Sequence, residues 1–132
     1  MAGFPLKIVT PDGLEFDGIA DSLTVRTVSG DMGIMARHVD CVAPLGMGEA
    51  TVVVDGQKRY AACIGGMVSV ISGAVTLVPT TFEWAEEIDV ARAEASEKRA
   101  EAILANKNAT DVEIRLAKAR LKRALVRKNV RR

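Results

Sequence analysis

Five charged residues near the C-terminal end of the chain have the types and spacing that suit polyphosphate binding. Asp89 and Arg92 lie one helical turn apart, and Arg99 follows two turns after Arg92 on nearly the same helix face. Arg123 and Arg127 lie one turn apart in a second helical segment. If the two segments fold back on each other, facing residues have numbers adding to about 215, which places Arg92 level with Arg123. Four guanidinium groups then converge, and such groups bind phosphates through paired hydrogen bonds.

A simpler interpretation of the same residues stays open. Asp89 is a suitable N-cap for a helix, and exposed arginines on a helix are usually solvated. In the ligand-binding interpretation, Glu83 and Asp89 instead accept hydrogen bonds from an amino or hydroxyl group of the ligand. Spacing alone does not separate a helix cap from half of a binding site.

Residue patterns typical of enzymes are missing from the sequence. His38 is the only histidine, and no serine or cysteine has a base at a plausible spacing. No metal-ligand cluster and no glycine-rich phosphate loop is present, because "GDMGIMARH" continues into strand-like residues. Cys41 and Cys63 lack the spacing of a metal or redox motif, so we expect two buried, reduced thiols. We therefore predict a protein without catalytic residues or a metal, and not an enzyme by itself.

The composition of the chain changes sharply near residue 86. All eleven glycines and all four prolines precede residue 80. Short apolar alternations separated by turn residues fill that first part, at residues 6–9, 14–16, 23–28, 51–54, 59–64, 68–71 and 75–78. The pattern predicts a β-sandwich, or flattened antiparallel barrel, over residues 1–85, followed by an antiparallel α-helical hairpin over residues 86–132.

One stretch of the first part is long and apolar enough to raise the alternative of a membrane span. Residues 60–82, "YAACIGGMVSVISGAVTLVPTTF", carry no charge. Three glycines and a proline interrupt the stretch, and its apolar residues alternate about Ser72-Gly73, so we predict two buried strands joined by a turn. Asp55-Gly56, between "TVVV" and "QKRYAAC", predicts a second tight hairpin because both residues tolerate positive φ angles.

The second part shows helical periodicity in two segments. Thr110 and Glu113 form a capping box at the start of the second segment. The predicted apolar faces are thin, which indicates a hairpin that burial holds weakly. The predicted face of the first helix comprises Ala91, Ala95, Ala102 and Ala105, with Glu94, Glu97, Lys98 and Glu101 outside it, and that of the second comprises Ile114, Ala117, Leu121, Ala124 and Leu125.

Charge is distributed very unevenly along the chain. Residues 1–85 carry 5 Lys/Arg against 9 Asp/Glu, while residues 113–132 carry nine basic residues and one acid. The basic end predicts an acidic or anionic partner. A nucleic-acid-binding helix is one alternative, but this end has no aromatic stacking residue. A free-standing ATP sensor is another, and copurification with membranes and partner subunits would separate it from an assembly subunit.

The whole chain, from Leu6 to about Lys128, resembles the epsilon subunit of bacterial F-type ATP synthases. The segments that carry the resemblance are "TPDGLEFDGIADSLTVRTVSGDMGIMARH", Gly65-Gly66 before a strand, and "EEIDVARAEASEKRAEAIL". The resemblance implies a peripheral membrane protein at the cytoplasmic face of the cell membrane, within the central stalk of a proton-driven rotary ATP synthase. The first residues, which lack a basic segment followed by an apolar run, are consistent with the cytoplasmic side.

The resemblance also implies partners and two functions for this chain. The sandwich is expected to dock on the gamma subunit and the c-ring, using Gly33, Ile34, Arg37 and His38. The extended hairpin is expected to meet the catalytic beta subunit and suppress ATP hydrolysis, through the basic residues Arg115, Lys118, Arg120, Lys122 and Arg123. No nucleic acid and no required cofactor are implied.

Some bacterial members of that family bind ATP on the folded hairpin through an Ile/Leu-Asp-x-x-Arg-Ala motif. The motif is intact here, so the resemblance makes ATP a regulatory ligand. The expected contacts are Glu83, Ile88, Asp89, Arg92, Ala93, Arg99, Arg123 and Arg127. The chain departs from the family at Met35, Ala36 and Arg37, where a Leu-Pro-Gly sequence is usual before the histidine, and we expect an altered loop conformation with docking retained.

Overall fold

A computed structural model describes residues 3–131, which form ten strands, one short 3-10 helix and two α-helices. The strands are β1 (Phe4–Thr10), β2 (Gly13–Ala20), β3 (Ser22–Thr27), β4 (Gly30–Ile34), β5 (Cys41–Pro44), β6 (Met47–Val54), β7 (Gln57–Ile64), β8 (Met67–Ile71), β9 (Ala74–Val78) and β10 (Thr81–Trp84). The 3-10 turn spans Ala85–Glu87, and the helices are α1 (Val90–Ala105) and α2 (Asp111–Val130). The predicted sandwich followed by two helices is therefore confirmed.

The strands form two five-stranded sheets. Sheet A has the order β2-β1-β9-β8-β5, and sheet B has the order β10-β7-β6-β3-β4. Every pair is antiparallel except β1 and β9, which run parallel with Leu6 beside Val75. The parallel pair departs from the purely antiparallel prediction, and it arises because the sequence between these strands crosses to sheet B and returns.

Alternate side chains of both sheets meet in one hydrophobic core. Leu6 and Ile8 of β1, Leu23 and Val25 of β3, and Leu77 of β9 are essentially inaccessible to solvent. This period of two is what the alternating apolar pattern predicted. Interdigitation of side chains from two sheets is the usual way in which a sandwich fills its interior.

Six of the seven predicted strand segments lie within observed strands, the segment 23–28 extends one residue past the end of β3, and three strands were missed. The missed strands β4, β5 and β10 are only four or five residues long. β4 begins at Gly30, and the glycines of "GDMGI" indicated a turn, whereas the backbone pairs with β3 from Thr27↔Gly30 to Leu23↔Ile34. Pairing with a neighbour imposes the extended conformation there, and local sequence gives little sign of it.

Both predicted two-residue turns are present. Asp55 and Gly56 have φ angles of 51° and 76°, and Ser72 and Gly73 have φ angles of 49° and 83°. Two consecutive positive φ angles match the right-handed twist of the flanking strands in a hairpin. Residues 60–82 are thus strands with turns between them, and no helix within residues 3–131 is long and apolar enough to cross a membrane.

The two cysteines are both free thiols, as predicted, but only one is fully buried. Cys63 lies in the core on β7, and Cys41 is half-buried at the start of β5. Burial raises the pKa of the Cys63 thiol to about 12. A thiol with so high a pKa stays protonated and unreactive at neutral pH.

The helical segment begins and ends with clear capping interactions. Thr110 and Glu113 form the predicted capping box, in which the Glu113 backbone N–H donates to the Thr110 hydroxyl over 3.1 Å. The Thr110 backbone N–H donates to the Glu113 carboxylate over 3.3 Å. These bonds satisfy donors that a helix start leaves unpaired, so α2 begins where the sequence predicted.

The predicted buried face is correct for α2 and wrong for α1. Ala117 and Ala124 of α2 are buried, with Ile114 and Leu121 half-buried and Leu125 more exposed. In α1 the buried residues are Ala93 and Ala100, while the four alanines of the predicted face are exposed, namely Ala91, Ala95, Ala102 and Ala105. Alanine occurs on several faces of α1, so the spacing of alanines does not identify the buried face. The half-buried residues Ile103 and Leu104 lie three and four positions after the buried Ala100, and this spacing marks the buried face.

The chain divides into two compact units at the end of β10. The first unit ends at Trp84, and the second begins at Ala85. Within the first unit, the edge of the Phe82 ring packs on the Trp84 indole at 4.9 Å between ring centroids. The Arg59 guanidinium lies 3.7 Å from the centre of the Trp84 ring, so a cation covers the last aromatic residue of the sandwich.

Candidate functional site

Asp89 is the N-cap of α1. Its backbone is extended, with φ −84° and ψ 100°, and its Oδ1 atom accepts a hydrogen bond of 3.1 Å from the Arg92 backbone N–H. The capping interpretation of Asp89 is therefore confirmed. The bond also ties Asp89 to Arg92 at the start of α1, and both side chains remain exposed.

The two arginines of α1 flank the helix seam on the same side. Arg92 and Arg99 are seven residues apart, and each immediately precedes a buried alanine, Ala93 or Ala100. Both arginine side chains are exposed to solvent. Because seven residues make almost two full turns, their guanidinium groups emerge along one edge of the seam.

The arginines of α2 are less exposed than those of α1. Arg123 precedes the buried Ala124, and Arg127 follows Arg123 by one turn. Both are half-buried. Half-buried guanidinium groups hold their orientation better than free surface side chains, and each additional constraint lowers the entropy lost when a ligand binds.

The buried residues of the two helices follow the predicted alignment closely. Ala93 and Ala124, like Ala100 and Ala117, are buried residues whose numbers add to 217, against the predicted value of about 215. The Lys128 Nζ atom of α2 donates to the Glu97 Oε2 atom of α1 over 2.7 Å, so these two long side chains reach diagonally along the seam. Arg123 therefore stays near the level of Arg92.

A second contact of the hairpin lies just before α1 and is closer to the predicted alignment. The Arg131 Nη1 atom donates to the Ala85 carbonyl oxygen over 2.8 Å. Ala85 belongs to the 3-10 turn (Ala85–Glu87) and not to α1. The contact therefore positions this turn against the end of α2 and does not by itself determine how the two helices align.

Two of the predicted ATP contacts are structural residues in this chain. Ile88 and Ala93 are 4% and 3% exposed. Their side chains therefore pack inside the protein and do not present a surface to a ligand. Glu83 is half-buried on β10, in the sandwich unit. Among the other predicted contacts, Asp89, Arg92 and Arg99 are exposed, and Arg123 and Arg127 are half-buried.

Most of the predicted inhibitory residues are on the outside of α2. Arg115, Lys118, Arg120 and Lys122 are exposed, whereas Arg123 is half-buried. Ala117 and Ala124 are the buried residues of the same stretch of helix. The folded hairpin therefore displays a basic surface to solvent.

The predicted docking loop contains one residue that cannot contact a partner through its side chain. Ile34 is fully buried in the sandwich core. Gly33 and Arg37 are exposed and His38 is half-buried, with its Nδ1 atom 2.8 Å from the Val39 carbonyl oxygen. We therefore withdraw Ile34 as a docking residue and assign it to the core.

The departure at Met35, Ala36 and Arg37 lies in a tight turn. Arg37 has a φ angle of 65°, a conformation that glycine adopts without strain and other residues rarely adopt. The His38 backbone N–H donates to the Met35 carbonyl oxygen over 3.2 Å and closes the turn. The expected change of loop conformation relative to the family stays a prediction.

The outer face of sheet A is an apolar surface that the sequence interpretation missed. Met67 and Ile71 of β8 point away from the core, and Met67 lies beside Val78 of β9. Val42 of β5 lies beside Ser69 on the same face. Their exposed fractions are 61% for Val42, 42% for Met67, 61% for Ile71 and 46% for Val78. The available signal was that residues 67–78 are apolar at both odd and even positions, as in strands covered on both faces.

Comparison with known proteins accounts for both units of the chain. Residues 3–85 match the family model described as ATP synthase delta/epsilon chain, beta-sandwich domain, and residues 86–130 match the model described as ATP synthase delta/epsilon chain, long alpha-helix domain. The ATP synthase epsilon chain of Bacillus velezensis is 43% identical over 95% of this chain and 94% of its own length. That of Bacillus licheniformis is 40% identical over the full length of both chains.

Solved structures show the same fold at lower sequence identity. A chain in the structure of the Euglena gracilis mitochondrial ATP synthase, comprising OSCP, F1 and the c-ring, has a TM-score of 0.81 at 23% identity, covering 92% of this chain and 77% of that one. A chain of the Tetrahymena thermophila mitochondrial ATP synthase central stalk and c-ring has a TM-score of 0.61 at 16% identity, covering 97% and 96%. With both family domains matched in order along the chain, this protein belongs to the ATP synthase delta/epsilon chain family.

Proposed function

We propose that this chain is a non-catalytic subunit of the rotor of a proton-driven F-type ATP synthase. Its sandwich docks on the gamma subunit and the c-ring at the cytoplasmic face of the membrane, and its hairpin regulates ATP hydrolysis. The observation that carries the proposal is the match of both family domains, in order, over residues 3–130. Bacterial relatives with this arrangement are named ATP synthase epsilon chain.

The outer face of sheet A supports a docking role for the sandwich. Four exposed aliphatic residues lie around Ser69 on one face of three neighbouring strands: Val42, Met67, Ile71 and Val78. Contiguous apolar surface is uncommon on a protein that works alone and often marks an interface. We assign this face to the gamma subunit, and the nearby turn at Arg37 and His38 to the c-ring.

The hairpin supports a regulatory role by its charge and by its thin core. Residues 113–132 carry a net charge of +8, and the exposed basic residues of α2 lie opposite its buried alanines. An acidic surface of the catalytic beta subunit would attract this helix when the hairpin extends. Buried alanines remove little apolar area from water, so separating the helices costs less than it would for larger side chains.

ATP is the ligand that we propose for the folded hairpin. Asp89 is fixed at the start of α1, where helix N-terminal N–H groups favour negative charge. Arg92 and Arg99 lie along one edge of the seam, and the pairing of the buried alanines places Arg123 near the level of Arg92. Binding to the folded form alone would shift the equilibrium away from the extended, inhibitory form.

The docking assignment is tested by placing a charge on the apolar face. We expect Ile71→Glu to abolish copurification with the gamma subunit, because a buried, unpaired carboxylate is strongly unfavourable in an interface. The exposed position of Ile71 lets the isolated variant fold normally, which circular dichroism checks.

The matched control is Val112→Glu, which puts the same charge on an exposed apolar residue of the hairpin. We expect this variant to copurify with gamma as the parent does. Undiminished copurification of Ile71→Glu would move the docking surface to another face of the sandwich.

A further inference from the structure

The fully buried centre of the seam between α1 and α2 consists of small residues. These are Ala93 and Ala100 of α1, and Ala117 and Ala124 of α2, while the larger residues of the seam, Ile103, Leu104, Ile114 and Leu121, are only half-buried. Buried alanines remove little apolar area from water, so burial alone holds the two helices together weakly. A further interaction between the helices therefore adds appreciably to the closed form.

The Glu97–Lys128 hydrogen bond is such an interaction. It is short, at 2.7 Å, and it joins the middle of α1 to the last turns of α2. The two side chains are only 18% and 33% exposed, so the ion pair is more sheltered from water and salt than a free surface pair. Because the pair forms only when α2 lies on α1, it favours the closed hairpin.

The charges around the pair favour its formation. Glu94 and Glu101 of α1 attract Lys128, and Lys98 of α1 attracts Glu97. The hydrogen bond from Lys128 lowers the pKa of Glu97, and the same bond raises the pKa of Lys128. Both groups therefore stay ionised over a wider pH range in the folded hairpin than in an unfolded chain.

We propose that Glu97 and Lys128 form a latch that holds the hairpin closed. The proposal deepens the regulatory role and rests on it, because a latch matters only for a hairpin that opens. In this account the nucleotide and the latch both act on the equilibrium between the closed and the open hairpin. The latch sets the fraction of molecules that are closed before any nucleotide binds. Its two residues are positioning residues, distinct from those assigned to ATP.

The pH range of the latch follows from the two pKa directions. The lowered pKa of Glu97 means that its contribution is present above the ordinary value of 4.5 and is lost as the pH falls through the lower, folded-state value. The raised pKa of Lys128 means that its contribution is present below the ordinary value of 10.5 and is lost as the pH rises through the higher, folded-state value. The latch is therefore intact at neutral pH.

The test measures the distance between the helices in the full-length chain without ATP. Spin labels are attached at Ala95→Cys and Asn129→Cys, both exposed positions near the open end of the hairpin, in a Cys41→Ser background. Cys63 is buried and its pKa is about 12, so it does not react with the label. The measured quantity is the ratio of closed to open populations in the distance distribution.

Three variants and one control complete the design. Glu97→Gln and Lys128→Met keep the side-chain size but remove one charge each, and the third variant combines both changes. Each single variant is expected to lower the closed-to-open ratio about two- to five-fold. The double variant opens no further than the singles do, because one interaction cannot be removed twice. Lys122→Met removes the same charge at an exposed position of α2 and leaves the ratio unchanged.

The outcomes separate the latch from the proposed nucleotide site. The latch proposal is overturned if both single variants keep the closed-to-open ratio of the parent. It is also overturned if the two changes lower that ratio additively in the double variant. Both conclusions hold whatever the affinity of the chain for ATP. Opening by the single variants supports the latch even if ATP does not bind to the parent, in which case only the nucleotide proposal fails. A pH titration adds an independent check, since the difference between parent and Glu97→Gln should vanish as the pH falls below 4.5.

Discussion

Asp89 shows how one residue can serve structure and binding together. Its carboxylate accepts from the Arg92 backbone N–H, and this bond fixes the first turn of α1. A carboxylate has further acceptor positions, so a cap can also accept from a ligand. The capping role therefore does not exclude the nucleotide role, and only the arginine side chains distinguish the two.

Removal of the Arg92 side chain tests the nucleotide role directly. We expect Arg92→Ala to weaken ATP binding to the isolated chain by roughly ten- to hundred-fold, the effect of losing one charge-assisted hydrogen bond. Isothermal titration calorimetry measures this affinity. The backbone N–H that bonds Asp89 is kept in the variant, so the helix cap is unchanged.

Arg115→Ala is the matched control for that titration. Arg115 is an exposed arginine of α2 outside the set assigned to ATP, and its removal changes the net charge equally. A similar loss of affinity in both variants would indicate general electrostatic attraction and would remove Arg92 from the site.

Among the elements, the start of β8 depends on one glycine that no other residue can replace. Gly66 has a φ angle of 91°, and a Cβ atom there would collide with the Val78 carbonyl oxygen and lie 2.7 Å from the Pro79 Cα atom. The backbone of β9 therefore passes directly over Gly66. Gly65-Gly66 is one of the segments through which the sequence resembles its family, and this close approach gives a physical reason for the second glycine.

We expect Gly66→Ala to lower the free energy of unfolding by at least about 2 kcal/mol, because it combines left-handed strain with a backbone collision. Gly56→Ala is the matched control, since Gly56 also has a positive φ angle of 76° but has nothing within 4 Å of a Cβ atom. Backbone strain alone should lower the free energy of unfolding of Gly56→Ala by about 1 kcal/mol. Denaturant unfolding measures both, and equal losses would contradict the collision at Gly66.

The elements also show how far the sequence could be interpreted by itself. Turn residues with a specific backbone requirement, such as Asp55-Gly56, and the capping box at Thr110 were predicted correctly because their chemistry is local. The short strand β5 and the parallel pairing of β1 with β9 depend on distant neighbours, so local patterns did not reveal them. The predicted buried face of α1 failed for a similar reason, because contact with α2 decides which of its several alanine faces is buried.

At the scale of the whole molecule, the division of composition corresponds to a division of mechanical roles. The glycine-rich first part forms a sandwich with a well-packed core, and its exposed apolar face suits permanent docking. The charged second part forms a hairpin with a seam of buried alanines and with the Glu97–Lys128 ion pair between its helices. Large apolar side chains hold the first unit together, whereas the second depends on interactions that can be broken at low cost.

The most direct test of the account is the rate of ATP hydrolysis by the catalytic head and gamma, measured with and without this chain. The full-length parent is compared with a variant in which Arg115, Lys118, Arg120 and Lys122 are each replaced by glutamine, which removes the exposed basic surface of α2. The account predicts that the parent suppresses hydrolysis, while the variant copurifies with gamma equally well and suppresses it much less. Equal suppression by parent and variant, or no suppression by the parent, would contradict the regulatory role of the hairpin.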